Sequence, residues 1–207
     1  MINKEYQLIK EFFKNNLYVL IVLGLTTFSL VMQWYRPISA SLVISNIIYY
    51  FLLPILVIIF IFKESLLDFG LGIGDFRIWL FYFFITVLIG LPVLFFASKF
   101  YSVNQYYSLK FNYYDFLISS VPILFVWEFL LRGFLLFGLK KHFGQASIII
   151  QMVPFVLMHL GKPEVETISC ILTGLWFGWI AYRSNSFWPA FLIHVFINFS
   201  VNFFVNI

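Results

Sequence analysis

The chain has 207 residues, of which 62% are hydrophobic and only 11% charged, and its mean hydropathy of +0.96 lies far above what a soluble domain tolerates. The apolar runs are long and unbroken, which favours helical spans over the ten-residue alternation of a membrane barrel. A lone cysteine, Cys170, excludes an internal disulfide and a cysteine-based zinc cluster. The net charge of +4 is spread over the loops, where it suits membrane topology and anionic lipid; no nucleic-acid signature is present.

The first stretch, "MINKEYQLIKEFFKNN", is polar for too long to open a cleaved signal, so the apolar run behind it is expected to be retained. Runs bounded by charges or turn residues predict seven spans, at 15–33, 43–62, 77–97, 115–138, 145–160, 166–182 and 186–206. The predicted fold is an all-α polytopic transmembrane bundle. With the N-terminus inside, the cytoplasmic segments hold Lys4, Lys10, Lys14, Lys63, Arg77, Lys140, Lys141 and Arg183, against Arg36, Lys99, Lys110 and Lys162 opposite, which favours that orientation. The glycine-rich "DFGLGIGDFRIW" at 68–79 reads as a flexible turn rather than a phosphate-binding loop, because no strand precedes it. Residues 99–115 form the longest polar connection, with tyrosines suited to anchor at the headgroup level. This connection divides a three-span region, 1–110, from a four-span region, 111–207, that holds the chemistry.

Within that second region "ILFVWEFLLRGFLLFGL" carries Glu128 and Arg132, four residues apart and therefore on one helix face. An ionisable side chain in a span costs at least ~2.5 kcal/mol on insertion scales, so the pair is expected to face the bundle interior, where it serves a function or stands as a structural salt bridge alone. His159 closes "PFVLMH", and "HVFIN" places His194 and Asn198 one turn apart. At 1.5 Å per residue, Glu128, His159 and His194 fall at depths of about 15, 21 and 12 Å, close enough to meet near mid-membrane. Imidazoles with oxygen donors suit zinc or another divalent first-row ion. Cys170, Gly174 and Gly178 form a small-residue stripe for close helix packing. Glu164 and Glu166 stand where carboxylates favour a helix start, and Glu166 is close enough in sequence to His159 to support the site.

These residues resemble the CAAX protease and bacteriocin-processing (Abi) family of intramembrane metal-dependent endopeptidases. The resemblance covers about residues 111–207. The family pattern E-E-x-x-x-R matches "WEFLLRG" with Glu128 as the second glutamate, Arg132 as the arginine and Trp127 in place of the first glutamate; F-x-x-x-H matches Phe155 and His159, and H-x-x-x-N matches His194 and Asn198. The resemblance implies hydrolysis of a peptide bond in a membrane-associated or hydrophobic peptide, in a bacterial plasma membrane. Glu128, Arg132 and His159 would be catalytic, His159, His194 and Asn198 would hold a divalent metal such as zinc, and Trp127, Phe155 and Glu166 would support them. Against this stand a non-catalytic scaffold or bacteriocin-immunity protein, and a small transporter, for which no internal repeat speaks.

Overall fold

The structure is a computed structural model that describes residues 2–108 and 111–207; Lys110, counted above for topology, lies outside the described residues. Six helices are long and apolar enough to cross a membrane: α1 (Ile2–Tyr35), α2 (Leu42–Phe62), α3 (Phe76–Ala97), α5 (Tyr113–Phe143), α7 (Glu164–Ser184) and α8 (Trp188–Val205). Two shorter ones are α4 (Tyr101–Tyr107) and α6 (Ala146–Leu157). The fold is thus the predicted all-α membrane bundle, with one difference in the count. The fifth expected span, 145–160, is a helix of only 12 residues, about 18 Å long. Apolar character runs on through Met158 and Leu160, but a turn with Gly161 at φ 92° ends the helix before Pro163.

Polar contacts gather the helix ends into two groups. At one end Lys141 pairs with Glu64 at 2.8 Å, Lys140 donates to Asn185 Oδ1 at 2.6 Å, and Asp75 N–H donates to Ser184 O at 2.8 Å. At the other, Tyr107 and Lys162 meet Glu166, and Asn206 Nδ2 donates to Tyr107 O at 3.2 Å. Short α6 therefore still connects opposite ends of the bundle.

α1 starts thirteen residues before the expected span, because its polar first turns are helical too. α5 is the central helix, and every residue from Glu128 to Leu139 is buried. Its middle, Phe129–Leu135, is wound as a π-helix, a distortion often found at functional sites. On the outside, α3 exposes Phe81, Phe84 and Leu88 as a lipid-facing helix does.

The loop at 68–79 is a clasp rather than a free turn. Phe187 N–H donates to Gly70 O, Ser186 Oγ to Gly72 O and Trp188 Nε1 to Leu71 O, at 3.1, 2.7 and 2.9 Å. Gly74, at φ 64°, passes so close to Ser184 O that a Cβ would overlap it. This fixes the start of α8, and with it the height of His194.

The small-residue stripe packs α7 against α6 as expected. A Cβ on Gly178 would overlap Gln151 Nε2, which is buried and donates to Ile148 O and Gly174 O, both at 2.8 Å. Gly178→Ala is expected to cost about 2–3 kcal/mol by overpacking and by displacing that amide, read as a lower unfolding midpoint in detergent.

Candidate active site

Four polar side chains from three elements meet in the bundle interior. Glu128 and Arg132 come from α5, His159 from the turn after α6 and His194 from α8. All four are buried, with exposures of 0, 0, 2 and 5%. Glu128 Oε1 lies 3.0 Å from Arg132 Nη1 and 2.7 Å from His194 Nδ1. The carboxylate thus joins the expected ion pair to the expected histidine. Its second oxygen, Oε2, is buried and has no protein partner, as are Arg132 Nε and Nη2.

Aromatic faces take up the rest of the guanidinium. Arg132 sits 4.1 Å over the Phe155 ring and 5.1 Å from that of Phe177, an arrangement that favours a desolvated cation. The same two rings stand 5.7 Å from His194, and Phe155 also packs on His159 at 4.6 Å. Phe155 is therefore the floor shared by Arg132 and both imidazoles. Gly174 lies directly behind it, where a Cβ would come within 2.9 Å of Phe155 Cδ1.

The two histidines face each other with ring centroids 6.1 Å apart and planes 26° apart. His159 Nδ1 is 2.7 Å from Phe155 O. A backbone carbonyl only accepts, so Nδ1 carries the proton and Nε2 presents a lone pair. His194 is held the same way by Glu128, since a carboxylate paired with Arg132 accepts from Nδ1. A carbonyl or carboxylate on the distal nitrogen is the usual support of a metal-binding histidine.

Asn198 is half-buried one turn beyond His194, and its side-chain oxygen accepts from Asn202 Nδ2 at 3.3 Å. Its hydrogen bonds run along α8 rather than to Glu128 or His159, leaving its own Nδ2 free to donate. Trp127 stands beside His159, edge to face at 6.1 Å, and its Nε1 donates to Asn46 Oδ1 at 2.8 Å. Glu166 belongs to a different cluster: it accepts from Tyr107 Oη at 2.8 and 2.9 Å and from Lys162 at 2.8 Å. Burial and then the Glu166 charge push the Tyr107 phenol pKa upward, so that hydroxyl acts as a donor. Its bearing on the site is through the chain, where Thr167 Oγ1 donates to His159 O at 2.8 Å.

Asn46 and Phe177 are the neighbours that sequence reading did not single out. Asn46 carried a signal, being an amide inside an apolar run; Phe177, one of 29 phenylalanines, carried none. Among the described residues no three His, Cys, Asp or Glu side chains converge as a metal cluster, so an ion here would draw on two imidazoles and the Asn198 amide. That donor set fits zinc in type, since each Nδ1 has an acceptor beside it and each ring can offer its Nε2 lone pair.

A polytopic helical membrane protein that buries a glutamate paired with an arginine and a histidine, and a second histidine beside them, is the class these features define. Residues 109–200 match the family described as type II CAAX prenyl endopeptidase Rce1-like. The match lies in the C-terminal part of the chain and takes in Glu128, Arg132, His159, His194 and Asn198. No curated protein and no solved structure matches the chain.

Proposed function

We propose that the protein is an intramembrane endopeptidase that cleaves a membrane-associated or hydrophobic peptide within the bundle, beside Glu128 and the two histidines. The observation that carries this reading is the Glu128 carboxylate itself. One oxygen is fixed by Arg132 and His194, while the other is buried, unpartnered and available to accept a proton.

In this reading a water is positioned between Glu128 Oε2 and the scissile carbonyl. Glu128 takes one proton as the water oxygen attacks, and returns it to the departing amide nitrogen as the C–N bond breaks. Arg132 holds the carboxylate in place, and Asn198 Nδ2, one turn from His194, would donate to the oxyanion. His159 and His194 would hold a divalent ion, zinc by donor type, with Asn198 as the third donor. Such an ion, when bound, supplies polarisation of the carbonyl and a more acidic water. With the N-terminus inside a bacterial plasma membrane, the end that carries Lys140 and Lys141 faces the cytoplasm.

The test is direct. Purified protein in nanodiscs is incubated with a fluorogenic isoprenylated peptide ending in a CAAX tail, and with the same peptide lacking the isoprenoid. Cleavage of either, located by product mass, supports the endopeptidase. Intact peptides at every divalent ion supplied would overturn it in favour of the second reading, a non-catalytic member that binds its peptide. The observation favouring that second reading is Trp127, which stands against His159 where the family pattern has its first glutamate.

A further inference from the structure

Asn46 is a buried polar group that the reaction above leaves unused. It is 5% exposed and lies in α2, which the family match does not reach, just ahead of a π-helical stretch at Ile48–Leu52. Its Nδ2 donates to Leu42 O at 2.7 Å, and this turns Oδ1 toward the Trp127 indole, whose Nε1 donates to it at 2.8 Å. With both ends of the carboxamide engaged, a flip would break two bonds at once. In a span each would leave a polar group unsatisfied in apolar surroundings.

The indole so held is not remote from the chemistry. Its ring stands 81° to the His159 imidazole at 6.1 Å. His159 is otherwise held from its own helix side, by the Phe155 carbonyl on Nδ1 and the Phe155 ring. Trp127 closes a further flank of the imidazole, and Asn46 is what fixes Trp127. The plainer account is that the bond merely joins α2 to α5, as interhelical amides in membranes do. It does not by itself require the acceptor to be turned by its own second bond, or the donor ring to lie against a site histidine.

We infer that Asn46 is a positioning residue: through the Trp127 indole it sets the orientation of His159. The N-terminal half of the chain thus supplies part of the site, and Trp127 serves as a strut where the family places a carboxylate. This rests on His159 being a site residue, as proposed above, and does not depend on whether the site hydrolyses.

The chain has three histidines, so ring signals in a histidine-labelled sample can be assigned with one variant each. Asn46→Leu is expected to move the His159 signals and leave those of His142 in place. Added to Trp127→Phe, which already lacks the indole donor, it should move them no further. In the cleavage assay Asn46→Leu should lower kcat about tenfold, the scale of a lost supporting partner, with KM within about twofold. His159 signals that stay put in Asn46→Leu, or that move equally in both backgrounds, overturn the inference. Should the leucine variant not fold, Asn46→Ser withdraws the acceptor from the indole's reach and takes the same readings. If the endopeptidase reading alone is wrong, wild type cleaves nothing while the coupled signals persist. If the positioning alone is wrong, cleavage survives in Asn46→Leu with His159 unmoved.

Discussion

Glu128→Gln is expected to lower peptide cleavage about 10³- to 10⁴-fold. Loss of a positioned general base accounts for about 10²–10⁴, and the amide also replaces the carboxylate that fixes the His194 tautomer. Shape is nearly conserved, so packing around residue 128 survives. The electrostatic cost is separate and sizeable. Arg132 is fully buried and would face a neutral amide, and breaking a buried pair from one side costs ~3–5 kcal/mol. The Phe155 and Phe177 faces retain part of the cation's stabilisation. Replacing both members, as Glu128→Gln with Arg132→Leu, should recover most of that stability, because no uncompensated charge remains. It should recover none of the cleavage. Unfolding midpoints and initial rates on the three proteins separate the two effects. Wild-type rates in Glu128→Gln would make the carboxylate structural and remove it from the mechanism.

How far the sequence could carry this result depended on the kind of signal. Charges and imidazoles in apolar runs are costly enough to be conspicuous; of the five residues that sequence reading brings together, Glu128 contacts Arg132 and His194, His159 stands beside His194, and Asn198 bonds along its own helix. Helical spacing placed Glu128 and Arg132 on one face, and they pair as i and i+4. What spacing could not give is the rotation of one helix against another. That rotation sends Glu128 to His194, turns Asn198 along its own helix toward Asn202, and sets Glu166 with Tyr107 and Lys162. The loop at 68–79 reads as flexible from sequence because its glycines permit many conformations. The backbone groups of those residues meet the α7–α8 turn through chain-distant hydrogen bonds, which no local pattern encodes. Asn46 escapes sequence reading for a related reason: one amide does not break a hydrophobic run, and its partner is 81 residues away.

Zinc supplied to the purified protein is expected to bind at one ion per chain, and His159→Ala or His194→Ala should weaken that binding at least about a hundredfold. The figure is the upper end of what loss of a supporting partner alone costs a metal site. The two variants should resemble each other, because each imidazole is prepared in the same manner: Nδ1–H engaged, by Phe155 O in one case and Glu128 in the other, and Nε2 free. They should differ from His142→Ala, whose ring stacks on Tyr18 away from this cluster. Glu128→Gln gives an intermediate result, since an amide oxygen still accepts from His194 Nδ1 but no longer raises the basicity of the ring as a carboxylate does; a loss of about tenfold is expected. Elemental analysis after gel filtration gives the stoichiometry, and competition with a coloured chelator gives the affinities. Binding that survives unchanged in both His159→Ala and His194→Ala would place any ion elsewhere. The hydrolytic role would then have to be carried by Glu128, the imidazoles and Asn198 alone. Their arrangement permits that as well, with His159 Nε2 as a second proton acceptor opposite His194.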